Sequence, residues 1–198
     1  VKYHKNPIDE CKKSKIDLIL HISASPFEVD KLTKRFQILK DTARTIASPI
    51  ISVNQVGAYN EIIFDGQSMV INKQGECVFK GEKFEQSEFS IDISKETSAL
   101  NLGHSLIEEI HDAAIYGLQE YCHHSGFSKV LIGVSGGIDS AIVAALATKA
   151  CGKENVTCVS MPTKYNSSNT KSDAKALVQN LGCVWHEFPI DIYRTMIT

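Results

Sequence analysis

The 198-residue sequence contains no CxxC pair, no large excess of either charge, and no apolar run near the roughly 20 residues of a membrane span. Its formal net charge of −2 gives no electrostatic footprint for nucleic acid or an anionic membrane. Six scattered cysteines (Cys11, Cys77, Cys122, Cys151, Cys158 and Cys183) make neither a disulfide framework nor a zinc site, and read as small buried hydrophobes. His123 and His124 are adjacent, and neighbours on a helix do not share a face, so they read as a solvated helix end. The opening VKYHK has neither an initiator Met nor a signal pattern. Asp191–Ile197 starts like an amphipathic helix and stops without a cap. A cytoplasmic protein, cut at both ends, is the expectation.

What is present is an ordinary globular composition, 43% hydrophobic, with two successive patterns. Lys15–Ile22 reads as a buried strand, Val29–Ala47 as a helix ended by Ser48-Pro49, and Pro49–Val53 as a strand parallel to the first. Short strands follow at Glu61–Phe64, Ser68–Ile71, Cys77–Phe79 and Phe89–Ile93, separated by turn sequences. Ser94–Asn101 is polar and weakly patterned, as a linker would be. A helix is expected over His104–Tyr121. Then strands at Lys129–Val134, Val156–Met161 and Val184–Phe188 alternate with helices at Ser140–Ala150 and Ser172–Leu181. Such alternation predicts a parallel sheet covered on both faces. There is no internal repeat.

The chemistry concentrates in KVLIGV-SGGIDS-AIVAALATKACG, where a strand meets a glycine-rich turn and a helix begins at once. Ligands of open parallel sheets bind beyond the carboxyl ends of the strands. A helix N-terminus supplies unpaired N–H groups and partial positive charge. Gly136 and Gly137 let the backbone approach phosphate oxygens, Ser135 and Ser140 add hydroxyls, and Asp139 offers an oxygen ligand for magnesium. A tight turn with an N-cap is the plainer alternative, and a lone Gly-Gly would favour it. Six specified residues between strand and helix favour phosphate instead. The loop is neither a Walker A sequence nor a GxGxxG fingerprint.

The SGGIDS sequence resembles the loop of the ATP pyrophosphatase family, which grips the pyrophosphate of ATP. Members adenylate a substrate oxygen, release pyrophosphate and let a nitrogen or sulfur nucleophile displace AMP. Two further stretches resemble glutamine-dependent NAD synthetases. VSMPTKYNSSNTKSDAKALVQNLGCVWHEFPID is similar to their synthetase domain. ISASPFEVDK, VNQVGAYNEIIFDGQSMVIN and FSIDI are similar to the later part of their nitrilase-type glutaminase domain.

The resemblance implies an α/β fold in two parts. The C-terminal part of a nitrilase-like α/β sandwich would span residues 1–95 and a linker 96–103. The first half of a doubly wound parallel α/β domain, adenine nucleotide alpha hydrolase-like, would span 104–198. It implies glutamine contacts from Ser25 and Lys31. It also implies nucleotide contacts from Gly133, Val134, Ser135, Gly136, Gly137, Ile138, Asp139, Ser140 and Met161, with Ser160 beside the adenine and Ser167 and Ser168 near the nucleotide. Asp139 would hold Mg²⁺. Asn54, Gln55, Glu61 and Asp65 would shape the surroundings without a chemical role.

The implied reaction is ATP-dependent amidation of deamido-NAD to NAD with glutamine-derived or free ammonia, in a homo-oligomer. The family's Cys nucleophile belongs to a Cys-Glu-Asp segment expected before residue 1, so no catalytic residue is expected in this chain, and Cys11 reads as a surface cysteine. The deamido-NAD site would follow residue 198. The loop alone leaves open another ATP pyrophosphatase, GMP synthetase-like or tRNA-thiolating, or an inactive nucleotide-binding fragment.

Overall fold

A computed structural model describes residues 7–93, 95, 98–103, 105–163 and 168–190. The chain divides into two compact units, Val1–Ala113 and Ala114–Thr198. The expected C-terminal helix at Asp191–Ile197 lies outside the described residues.

In the first unit a short helix α1 (Pro7–Cys11) precedes β1 (Ile19–Ser23), α2 (Lys31–Ile46) and β2 (Ile50–Asn54). β1 and β2 pair in parallel, as expected of strands joined by a helix. β5 (Met69–Ile71) and β6 (Cys77–Lys80) add antiparallel, giving the order β1-β2-β5-β6. α2 begins at Asp30, which is left-handed and donates its N–H to Glu109 Oε2 at 3.1 Å. The helix stops where Ala47 turns left-handed and returns its N–H to Ala43, one residue before the Ser48-Pro49 pair that bars helical backbone. Leu32, Leu39 and Ala43 of α2 pack on Ile50, Met69, Ile71 and Cys77 of the sheet.

The short α1 was not expected from sequence, and two further departures follow. A strand at Val56–Tyr59 (β3) was not expected, and it forms a separate antiparallel hairpin with β4 (Ile62–Asp65). Its Gly57 breaks the pattern that marks strands. Residues 89–93 do not form the expected strand. The alternation of FSIDI is present, but among the described residues no strand pairs with it. Phe89 instead stacks on Phe79 with ring centroids 4.1 Å apart. Residues 98–103 run along the first unit, where the Leu100 N–H donates to the Cys77 carbonyl at 2.8 Å and Leu102 packs against the core.

The helix α3 (Leu106–Ser125) carries the division between the units. Within the first unit, Glu109 is buried beneath Asp30 and Asp112 pairs with Lys83.

The second unit holds β7 (Val130–Gly133), α4 (Ile138–Cys151), β8 (Val156–Ser160), α5 (Ser168–Leu181) and β9 (Val184–Glu187). The strands are all parallel, in the order β7-β8-β9. Ala144 and Ala147 of α4, Ala174 and Val178 of α5, and Val134, Val156 and Cys158 of the sheet make one core, with Leu118 packed against it. The expected cover on both faces is not what the described residues show. Successive crossovers of one hand along an unreversed strand order place both helices on the same side. On the other side Leu131 is 72% exposed and Val184 44% exposed. Leu20 and Ile22 of β1 are likewise exposed on the first sheet. No helix among the described residues is long and apolar enough to cross a membrane.

Candidate functional site

The glycine-rich loop lies at the carboxyl end of β7, where the Val134 N–H still reaches the Val159 carbonyl at 2.8 Å and prolongs the ladder by one residue. The chain then turns through Gly136, with φ of +84°, and enters α4 at Ile138. Two serines tie the turn. Ser140 Oγ accepts the Ser135 N–H at 3.2 Å and lies 3.0 Å from the Gly137 carbonyl, while Ser135 Oγ accepts the Gly137 N–H at 3.2 Å. Both hydroxyls, expected from sequence only as ligand donors, therefore shape the loop itself.

No side chain caps α4. Its first turn is left with the unsatisfied N–H groups and partial positive charge that suit an anion. Asp139 stands exposed in that turn. Its carboxylate is an oxygen donor of the kind Mg²⁺ prefers.

A cavity of about 240 Å³ opens beside the loop. Gly133, Val134 and Ser135 line it from β7, Ser160, Met161 and Pro162 from the end of β8, and Lys171 from α5. Thus Gly133, Val134, Ser135 and Met161 share one cavity, while Gly136, Gly137, Ile138, Asp139 and Ser140 complete the adjoining turn. Ser160 is buried there, and Met161 is 53% exposed. Lys171 was not foreseen, because a lysine on a polar helix carries no sequence signal. Ser167 lies outside the described residues, and Ser168 opens α5.

The other expected site lies in the first unit. Period-two alternation puts His21 and Ser23 of β1 on the same face as Ser52 and Asn54 of β2, with His21 opposite Ser52 and Ser23 opposite Asn54. Across from them α2 presents Lys31 and Arg35, one turn apart. These residues, with Ser25, line a second cavity of about 240 Å³. Ser25 and Lys31 are therefore brought together.

The Ser25 N–H donates to Asn54 Oδ1 at 2.9 Å, which fixes the turn before Pro26. Lys31 pairs with Glu28 at 3.0 Å, and Lys34 reaches the same carboxylate at 3.1 Å. Hydrogen bonds from Lys31 and then Lys34 hold the Glu28 carboxyl below its ordinary range.

Beneath this cavity Asp65 is fully buried. It accepts both terminal nitrogens of Arg35, at 3.2 and 2.7 Å, and the amides of Gln67 at 2.7 Å and Asn54 at 3.3 Å. Asn54 and Asp65 were expected only to shape the surroundings; Asn54 lines the cavity and Asp65 is buried behind it, bonded to Asn54, Arg35 and Gln67. Arg35 and Gln67 were missed: Arg35 meets Asp65 from 30 residues away, a separation local pattern does not report, and Gln67, two residues from Asp65, sits in a turn-type stretch that carries no signal of burial. Gln55 donates its N–H to the Ser23 carbonyl at 3.0 Å, and Glu61 sits in the β3–β4 turn. Cys11 ends α1. His123 and His124 do end α3 in solvent, yet their donor atoms and that of Glu120 lie within 4.8 Å of one another.

Both units, then, are α/β assemblies with polar clefts at the carboxyl ends of parallel strands, one of them bordered by a glycine-rich turn and an uncapped helix. That class has many members, and likeness to known proteins narrows it. Residues 110–198 match the family model NAD synthase. The chain is 37% identical over 194 residues to the glutamine-dependent NAD(+) synthetase of Synechocystis sp., covering 95% of this chain and 35% of that protein. Against the Aquifex aeolicus enzyme of that name it is 34% identical over 215 residues, covering 90% and 38%.

The structure superposes on glutamine-dependent NAD+ synthetase from Acinetobacter baumannii, solved in complex with ADP, with a TM-score of 0.84 and 31% identity. That match covers 96% of this chain and 37% of the other. The Cytophaga hutchinsonii synthetase shares the fold, with a TM-score of 0.71 at 16% identity. The chain is thus similar to glutamine-dependent NAD(+) synthetases along nearly its whole length, and spans little more than a third of theirs.

Proposed function

We propose that the protein takes part in ATP-dependent amidation of deamido-NAD to NAD. The observation that carries this reading is collinearity: likeness to glutamine-dependent NAD(+) synthetases runs through both units, across the Ser25–Lys31 cleft as well as the Ser135–Ser140 loop.

In this reading residues 1–95 are the later part of a nitrilase-like glutaminase domain, 96–103 a linker, and 104–198 the start of a doubly wound synthetase domain. Ser25 and Lys31 hold the polar groups of glutamine, the ammonia source. In the synthetase cleft, the loop glycines and the first N–H groups of α4 receive the phosphates of ATP, and Met161 borders the adenine. The nicotinate carboxylate attacks the α-phosphorus and pyrophosphate leaves. Ammonia then adds to the activated carbonyl and AMP departs. The loop amides stabilise the charge that gathers on the leaving pyrophosphate. Asp139 would hold Mg²⁺, which supplies further charge neutralisation there. The same reading makes the protein a cytoplasmic homo-oligomer with small-molecule substrates and no nucleic-acid partner.

The test is an assay of the protein at its gene-encoded length with deamido-NAD, ATP and either glutamine or ammonia. NAD formation with both nitrogen donors is expected. Failure with both would overturn the reading. Loss of Mg-ATP binding in Asp139→Ala checks the role given to that carboxylate.

A further inference from the structure

The loop and α5 touch at one point that determines what α5 presents to the cavity. A Cβ on Gly136 would run into the carbonyl of Thr170, so the first turn of α5 lies directly against the bare backbone of the loop. Two helix N-termini, of α4 and α5, therefore come to the same turn, and each carries partial positive charge. The residue after Thr170 is Lys171, and it lines the cavity.

Lys171 is the one charged residue among the described residues of that lining; the others are glycine, valine, serine, methionine and proline. No carboxylate among the described residues forms an ion pair with it. A lysine lining a cleft with otherwise uncharged walls, beside the turn that leads into the uncapped α4, adds positive potential where an anion would sit. A solvated surface lysine has no such neighbours.

We infer that Lys171 is a phosphate-binding residue of the nucleotide cleft, held over the loop by the Gly136–Thr170 contact. The inference rests on reading the loop as an ATP site. It adds a side-chain cation, from a different helix, to a site otherwise made of backbone and hydroxyl donors. The ligand chemistry it selects is the polyphosphate of the nucleotide rather than its base.

Calorimetric titration of the protein at its gene-encoded length tests it, with Mg-ATP and adenosine as probes against wild type, Lys171→Ala and Lys171→Arg. Lys171→Ala should weaken Mg-ATP binding about tenfold, the size of one charge-assisted contact. Lys171→Arg should recover most of that loss, and adenosine should bind all three proteins alike. Thermal melts should coincide, since the side chain is exposed. If wild type binds Mg-ATP and Lys171→Ala binds it as well, the inference is overturned while the loop reading stands. An equal loss for adenosine would assign Lys171 a structural role and overturn it too. If wild type binds no Mg-ATP, the loop reading itself fails and the inference falls with it.

Discussion

The carbonyl oxygen of Thr170 occupies the space in which residue 136 would carry a Cβ, and Thr170 Cγ2 stands 2.8 Å from that position. Gly136 is also left-handed, with φ of +84°. The neighbouring Gly137 is extended, with φ of −86°, and a Cβ there would meet only Ser135 Oγ at 3.4 Å. The two glycines of the loop are therefore not equivalent.

Gly136→Ala should cost at least ~1–2 kcal/mol from the backbone conformation alone, and more from displacing α5. It should also abolish Mg-ATP binding, because the loop and the first turn of α5 must part. Gly137→Ala should leave the unfolding midpoint near that of wild type. Urea titrations of the two variants decide this; equal destabilisation would contradict the structure.

Asp65 and Arg35 form the buried ion pair of the first unit, bidentate and joined by two side-chain amides. Asp65→Asn would leave the guanidinium almost buried without its counter-charge. The expected loss is about 3–5 kcal/mol, the usual consequence of stranding one partner. Because Asn54 bonds both Asp65 and the Ser25 peptide, the cleft should loosen with the pair. Amide exchange at Ser25 should accelerate in the variant.

Asp112 is held below the ordinary Asp value of 3.8 mainly by its hydrogen bond to Lys83, with His111 a lesser contributor against the opposing effect of burial. A carboxyl whose folded pKa is depressed contributes stability above its unfolded value and loses it as pH falls through the folded one. Urea midpoints should therefore decline as pH drops below about 3.8, and less steeply in Asp112→Asn. The side chain is 34% exposed, so the contribution is modest and should shrink further in high salt.

Burial raises the thiols of Cys77 and Cys158 above their usual range, as it does that of Cys151, where Cys122 adds to the effect. Thiolate is the reactive form, so these positions should resist alkylation in the native protein at neutral pH. Mass spectrometry after brief iodoacetamide treatment should find Cys77 and Cys158 largely unmodified, and all six cysteines labelled in urea. Rapid native labelling of Cys158 would contradict its place in the core of the second unit.

Local pattern carried the strand–helix–strand unit at the start of the chain and the alternation at its end, because hydrophobic period and Pro or Gly punctuation are properties of short windows. It carried the glycine-rich turn for the same reason: strand, glycines and helix are contiguous. It failed at FSIDI, where alternation is present but, among the described residues, no partner strand is.

The sequence by itself thus determined most of the elements and the turn that could receive phosphate. Only the tertiary structure decided which residues surround each cleft. Asp65 meets Arg35 from 30 positions away, and Thr170 meets Gly136 from 34. Such meetings follow from how helices settle on a sheet, and that packing is set by the whole chain rather than by any window of it.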